Sequence, residues 1–229
     1  MNKIKEFQQL ADVFKAHGFR LFLVGGTVRD YLLDKELDDM DAVTDATPKQ
    51  VLSFLPDTDG TFAHLGSLRY KTPNGLKFDI TTLREEGDYL DSRHPSSIKF
   101  VKDLRLDYKR RDFTINALYM DEELNVIDYC GGQVDLAHHL LRMVGDPDQR
   151  LKEDPLRILR AIRFHLFFNL TIEPSLFEAM KDRFYLLKNV NDAKIKMELD
   201  KINAYDVDLK AKKDIYEQFD IVNLKGVVK

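Results

Sequence analysis

Two aspartates one residue apart, Asp39 and Asp41, follow closely on a Gly25-Gly26 pair and an arginine, Arg29. If the aspartate piece is a strand, its period of two puts both carboxylates on one face. The glycines end an apolar run, LFLV, and lead into a helix-like segment, so they form a tight turn without side chains. Backbone N–H groups in such a turn can cradle phosphate, and Arg29 can reach the same phosphates as a forked donor. Two carboxylates beside a phosphate cradle are the oxygen donors that Mg²⁺-assisted phosphoryl or nucleotidyl transfer needs. A lone Gly-Gly is most often just a turn and an Asp-rich loop is mostly solvated surface; their order and spacing raise the functional reading.

Further candidates lie downstream. Asp79 alternates with apolar Phe78 and Ile80 on a strand-like piece, and can either ligate the same metal or hydrogen-bond a turn backbone. No His cluster competes for a softer metal. Arg111 can contact phosphate while Asp112 accepts from ribose hydroxyls, which favours a ribonucleotide. The bland alternative is an Arg–Asp pair anchoring a strand, with Asn116 as a turn-stabilising amide. Asp154, Arg157, Arg160 and Arg163 recur every three residues. Asp154 accepts and Arg157 donates, so the two can pair with a base edge. Alternatively Asp154 is an N-cap before Pro155 and the arginines are a solvated face.

The elements that must position these residues follow from periodicity. Residues 3–17 have helical spacing and end at Gly18; residues 21–24 read as a strand. Thr47-Pro48 opens a helix, and residues 61–83 read as a hairpin around Thr72-Pro73-Asn74-Gly75. Residues 84–97 are polar, with Gly and Pro, and read as a mobile loop. Short strands follow near 98–101, 118–120 and 126–127. From Gly131 the pattern turns helical: residues 151–166 are strongly amphipathic, Ser175 caps a further helix, and 193–219 is helical by composition. The expectation is an α+β head over residues 1–130, an all-helical neck over 131–203, and the start of a helical body over 204–229.

Composition sets outer bounds. At 229 residues, 44% hydrophobic and 32% charged, the chain can bury a real core. No apolar run reaches membrane-spanning length, and the amphipathic N-terminus does not read as a signal peptide. The single Cys130 excludes an internal disulfide and any Cys-based zinc site, so the cytoplasm is the expected compartment. A net charge of −4 gives no global nucleic-acid signature, but basic residues cluster at Lys109-Arg110-Arg111, at Arg157, Arg160 and Arg163, and in a Lys-rich tail. Oligomeric state is not readable.

The order GG-x-VRD-x-LL then D-x-D-x-x-T-x-A-T-P, followed in register by RRDFTINA (110–117), DYCGGQVDL (128–136) and EDPLRILRAIRF (153–164), resembles the class II bacterial CCA-adding enzyme and poly(A) polymerase family. The resemblance implies a nucleotidyltransferase-type mixed-sheet head and a helical neck. It implies metal binding at Asp39 and Asp41 with Asp79 as a third acidic position, and triphosphate contacts from Gly26 and Arg29. Arg111 and Asp112 fall in its second head motif, and the glycines at 131–132 in its hinge. Asp154 and Arg157, with Arg160 and Arg163, match the neck helix that serves as a protein template for incoming CTP or ATP. The implied cofactor is Mg²⁺ and the implied acceptor a tRNA 3′ end, extended with CCA. Members adding only A, only CC, or poly(A) are alternatives, as is an inactive RNA-binding fragment. Enzymes adding only CC lack much of the loop corresponding to 84–95, which is present here. Departures are Asp34, where the family often has Gly, and Asp192-Ala193-Lys194 at the centre of the last neck motif. Members usually continue into body and tail domains, so the chain reads as either truncated or naturally short.

Overall fold

The computed structural model describes residues 3–87, 97–221 and 224. It divides into two compact units, one formed by Met1–Gly87 with Ser97–Gln133, the other including Val134–Lys229.

In the first unit, α1 (Lys3–Ala16) buries Phe7, Leu10, Ala11 and Phe14 on one face. β1 (Leu21–Val24) is buried throughout and leads through Gly25 into α2 (Gly26–Leu32). β2 (Met40–Thr44) and α3 (Pro48–Phe54) follow, the latter opened by a Thr47–Gln50 capping box with Pro48 in its first turn. Next come β3 (Ser67–Lys71), β4 (Lys77–Thr82), β5 (Arg84–Glu86), β6 (Ile98–Phe100), α4 (Leu104–Asp107), β7 (Leu118–Met120) and β8 (Val126–Asp128). Six strands form one sheet in the order β3-β4-β2-β1-β7-β8. Only β2 and β4 run parallel within it, so the sheet is mixed as expected.

Strand alternation gives the sheet two different faces. Leu21, Leu23, Met40, Ala42, Phe78, Ile80, Leu118 and Met120 pack with Phe7, Leu10 and Phe14 of α1, Val28 of α2 and Val51 of α3. Truncating a fully buried ring such as Phe14 to alanine costs about 3–5 kcal/mol. Phe22, Val24, Val43 and Tyr119 make a smaller core on the opposite face, with Leu83, Val101 and Leu104. Asp41 has the parity of Val43 and stands opposite Asp79 in the β2–β4 register, so both carboxylates emerge on this second face.

Four local expectations need correction. The segment read as loop from residue 84 begins as a strand, with β5 and β6 paired in the register Arg84↔Phe100, Glu85↔Lys99 and Glu86↔Ile98. Its polar composition concealed it, because Arg84 and Glu86 ion-pair with each other at 2.7 Å. The rest of that expected loop, residues 88–96, lies outside the described residues. Of the glycines that the resemblance places in a hinge, Gly131 takes the left-handed backbone that reading invoked, at φ 79°, while Gly132 is tightly packed. Any Cβ on Gly132 would lie 2.1 Å from the Thr114 carbonyl oxygen, and the Asp128 carboxylate accepts from the backbone N–H groups of Cys130, Gly131, Gly132 and Gln133. Burial alone would raise the Asp128 pKa, but those four donors outweigh it and hold the carboxyl below the usual range.

The second unit comprises α5 (Gly132–Ala137, which begins in the first), β9 (Leu140–Leu141), α6 (Pro147–Glu153), α7 (Leu156–Phe168), β10 (Thr171–Ile172), α8 (Pro174–Arg183), α9 (Asp192–Asn203) and α10 (Leu209–Gln218). It is helical apart from the short parallel pair β9–β10, which the all-helical expectation lacked. The third correction is that the amphipathic run 151–166 is two helices rather than one. Pro155 drives the preceding residue out of the helical region, and Asp154 sits extended at φ −142° and ψ 93°. Nearby, α8 is capped by Glu173 and not by Ser175: the Glu173 carboxylate accepts from Leu176 N at 3.1 Å. Asn191 caps α9, in the region of the departed neck motif.

Candidate active site

The glycine turn is the geometric centre of the first unit's polar residues. Gly25 sits at φ 63° and ψ −123°, a conformation open essentially to glycine, and its N–H donates to the Leu118 carbonyl at 3.0 Å. A Cβ there would meet Arg111 Nη1 at 3.6 Å and the Asn116 carbonyl at 3.5 Å. A Cβ on Gly26 would meet Arg29 Nη2 at 3.4 Å and Asp41 Oδ2 at 3.9 Å. One turn therefore gathers Arg29, Asp41, and Arg111 with Asn116, from three separate stretches of sequence.

Asp41 is fixed through its own backbone: its N–H donates to Thr27 Oγ1 at 2.8 Å, which ties β2 to the first turn of α2. Its side chain retains access to solvent. Crowding by protein atoms and the facing Asp79 carboxylate raise its pKa, Arg111 and Arg29 oppose that rise, and Asp39 adds a smaller one. Asp79 Oδ1 accepts from Arg69 Nε at 3.2 Å, an ion pair across β3 and β4 where a turn-backbone bond was one alternative. Asp39, just before β2 and exposed, lies 3.7 Å from Lys77 Nζ.

Among the described residues no group of three or more His, Cys, Asp or Glu forms a protein-only metal cage. A hard cation of the Mg²⁺ type is bound by one or two carboxylates and completes its shell with substrate phosphates and water. Asp41 supplies the fitting observation. Burial first, and then the facing Asp79, make it hold its proton more tightly despite Arg111 and Arg29, and a divalent cation beside it would favour the charged form.

The basic groups are organised differently from the sequence expectation. Arg29 was expected as an open fork for phosphate. It is 7% exposed; its Nε and Nη2 grip the Asp30 carboxylate at 2.9 Å each, and Nη1 donates to Asn116 Oδ1 at 2.6 Å. Asn116 Nδ2 in turn donates to Asp112 Oδ1 at 3.1 Å, and the same oxygen accepts from Phe113 N at 2.7 Å. The amide was expected to stabilise a turn; it also links Arg29 to Asp112. Arg111 donates from Nε to the Tyr119 hydroxyl and from Nη2 to Asp107 Oδ2, both at 3.0 Å.

Thr27, Asp107 and Tyr119 were missed by sequence reasoning. Asp107 precedes Arg110 and Arg111 by three and four residues, a spacing that brings side chains together on a helical turn and could have pointed to it. Tyr119 hid in a strand-like apolar run.

In the second unit, Asp154 Oδ1 accepts from Leu156 N at 3.1 Å, a cap at the start of α7. Arg157 is 5% exposed, with Nη1 donating to the Arg150 carbonyl at 2.7 Å and lying 3.4 Å from Glu153. The expected base-edge donor is thus folded against its own unit. Arg163 donates from Nε to the buried Glu198 at 2.9 Å and stacks over Phe164, as Arg160 does at a longer 5.5 Å. The arginine face is neither simply solvated nor, as it stands, turned to a ligand.

Sequence comparison places this geometry. The family profile described as the poly(A) polymerase head domain matches residues 21–142, more than half of the chain. The chain belongs to the class II CCA-adding enzyme and poly(A) polymerase family. Within it, the CCA-adding enzyme of Staphylococcus haemolyticus is 41% identical over 193 residues, covering 84% of this chain and 48% of that protein. A crystal structure of the Bacillus stearothermophilus CCA-adding enzyme in complex with CTP superposes with a TM-score of 0.83 at 28% identity, over 99% of this chain and 53% of that one. The Thermotoga maritima CCA-adding enzyme complexed with tRNA gives 0.75 at 27% identity, over 95% and 51%. The chain spans about half the length of the curated relatives it matches.

Membership in the family fits what the first unit offers: a mixed nucleotidyltransferase sheet, a glycine turn and a carboxylate pair on one face. The family typically uses a divalent metal. No helix among the described residues is long and apolar enough to cross a membrane.

Proposed function

We propose that this chain is a template-independent RNA nucleotidyltransferase that extends the 3′ end of tRNA with CCA, using CTP and ATP. The observation that carries the reading is the convergence of Asp41, Arg29 and Arg111 on the Gly25-Gly26 turn, with Asp79 opposite Asp41 on the neighbouring strand. The attacking tRNA 3′-hydroxyl bonds to the α-phosphorus of the nucleotide, the bond to the β-phosphate oxygen breaks, and pyrophosphate leaves with its electrons. A bound Mg²⁺ would supply charge neutralisation and a more acidic attacking hydroxyl. Asp39 and Asp41 would hold it, with Asp79 tuning the field from the neighbouring strand. The open backbone at Gly26 admits the triphosphate, Arg111 and the Arg29 brace set positive charge beside it, and Asp112 faces the ribose.

In the second unit, Asp154, Arg157, Arg160 and Arg163 would read the base of the incoming CTP or ATP. That role requires Arg157 to exchange Glu153 for the base. If it does, Arg157→Ala changes the CTP-to-UTP incorporation ratio about tenfold to a hundredfold, the worth of one base-edge contact. An unchanged ratio in both Arg157→Ala and Asp154→Ala ends the template role.

Incubation with Mg²⁺, labelled CTP or ATP, and tRNA lacking its CCA end tests the whole reading. Incorporation of both C and A is expected. Incorporation of A alone or of C alone would narrow the chain to a partial enzyme, and none under any condition would leave an RNA-binding fragment. The tRNA acceptor is named from relatives whose structures contain CTP, an ATP analogue or tRNA.

A further inference from the structure

Arg111, one of the two arginines that reach the glycine turn, is held by two groups that the reaction as described does not use. Asp107 is fully buried, and its Oδ2 accepts from Arg111 Nη2 at 3.0 Å and from the Tyr119 hydroxyl at 2.7 Å. The same hydroxyl accepts from Arg111 Nε at 3.0 Å, which closes a triangle of three hydrogen bonds. A planar guanidinium fixed at two nitrogens has its third direction set as well. Here that direction carries Nη1 to the turn, 3.6 Å from where a Gly25 Cβ would stand. Asp107 Oδ1 meanwhile accepts from Arg110 Nε at 2.9 Å and from Arg84 N at 3.1 Å, which anchors the carboxylate from behind.

We propose that Asp107 and Tyr119 are positioning residues that aim the Arg111 guanidinium at the Gly25-Gly26 turn to receive a nucleotide's triphosphate. This rests on the nucleotidyl-transfer reading above. Burying so many charges for stability alone is poor economy, since well-packed apolar side chains of the same volume usually do as well. Their retention makes sense if the geometry they impose on Arg111 is used.

Two measurements on the full chain test it. Without nucleotide, ¹⁵N NMR follows solvent exchange of the Arg111 Nε–H. Exchange should accelerate about tenfold or more in Tyr119→Phe, which removes only the accepting hydroxyl. With Mg²⁺ present, calorimetry follows binding of inorganic triphosphate, CTP and ATP. Tyr119→Phe and Asp107→Asn should weaken all three alike, by about tenfold to a hundredfold, because the phosphates are what they share. If Asp107→Asn does not fold, Tyr119→Phe decides. Unchanged exchange, unchanged triphosphate affinity, or a loss confined to one base overturns the positioning role. A wild-type chain that binds no triphosphate overturns the nucleotide reading itself, whereas wild-type binding with indifferent variants overturns only the positioning.

Discussion

At the scale of single residues, the carboxylates divide by what faces them. Asp41 is crowded by protein atoms and faces Asp79, and both raise its pKa, so its charged form is held less favourably until a cation arrives. Asp41→Ala should therefore abolish nucleotide transfer while leaving the thermal midpoint in metal-free buffer unchanged or slightly raised, as calorimetry would record. Near-normal turnover would remove it from the site. Asp107 is the opposite case. Burial would raise its pKa, yet Arg110, Arg111 and the Tyr119 hydroxyl more than compensate and bring it to about 2. A carboxylate depressed below its unfolded value of 3.8 contributes stability that is complete above that pH and is lost as pH falls through about 2. The contribution is on the order of 2 kcal/mol. Urea unfolding between pH 5 and 2 should show a loss of that size in the wild type and a shallower one in Asp107→Asn, which starts from a lower stability at neutral pH. Equal slopes would mean that other acids set the acid limb.

At the scale of elements, what was legible in the sequence depended on whether a local pattern had one physical reading. LFLV before Gly25-Gly26 could only be a buried strand meeting a turn, whereas the Asp-x-Asp pattern caught only Asp41 on its strand, because β2 begins at Met40 and leaves Asp39 outside it. Arg29 was not legible: its spacing allowed a phosphate fork, but the adjacent Asp30 and the distant Asn116 claim its nitrogens in three dimensions. β5 was hidden because its three side chains are all charged. Pro155 was a break visible in the letters, overridden by the apolar period on either side of it. Asp34 occupies the left-handed region at φ 51°, a conformation that glycine takes more readily than aspartate. The same logic makes Gly132 testable. Gly132→Ala would drive a methyl into the Thr114 carbonyl, and a drop in thermal midpoint equivalent to at least about 2 kcal/mol is expected. Retention of wild-type stability would mean the joint opens more easily than its packing implies.

For the whole molecule, metal binding should be visible as stability. A ligand that binds only the folded chain, at a hundredfold excess over its dissociation constant, adds about 2.7 kcal/mol. Titrating Mg²⁺ should raise the thermal midpoint of the wild type and leave that of an Asp39→Ala, Asp41→Ala double variant flat. The same rise in both proteins would place the cation elsewhere. The net charge of −4 said nothing of this, because it averages an acidic sheet face against the arginine hub and the Lys-rich helices. Local charge, invisible in the sum, is what the chemistry would use.

The central strand β1 takes one neighbour from β2, shortly after it in sequence, and the other from β7, with Leu23 opposite Met120. On a ribosome adding about 5–20 residues per second, β1 therefore waits some seconds with one edge unsatisfied before β7 emerges. During that interval the glycine turn exists without Arg111, and an apolar strand edge is open to other chains. Long-range closure of this kind is slow to form, and for this protein the joining of β7 to β1 is also the event that assembles the site. Misfolding and inactivity should thus share one origin, and a chaperone that shields nascent β1 would raise the yield of competent protein more than that of its helical half.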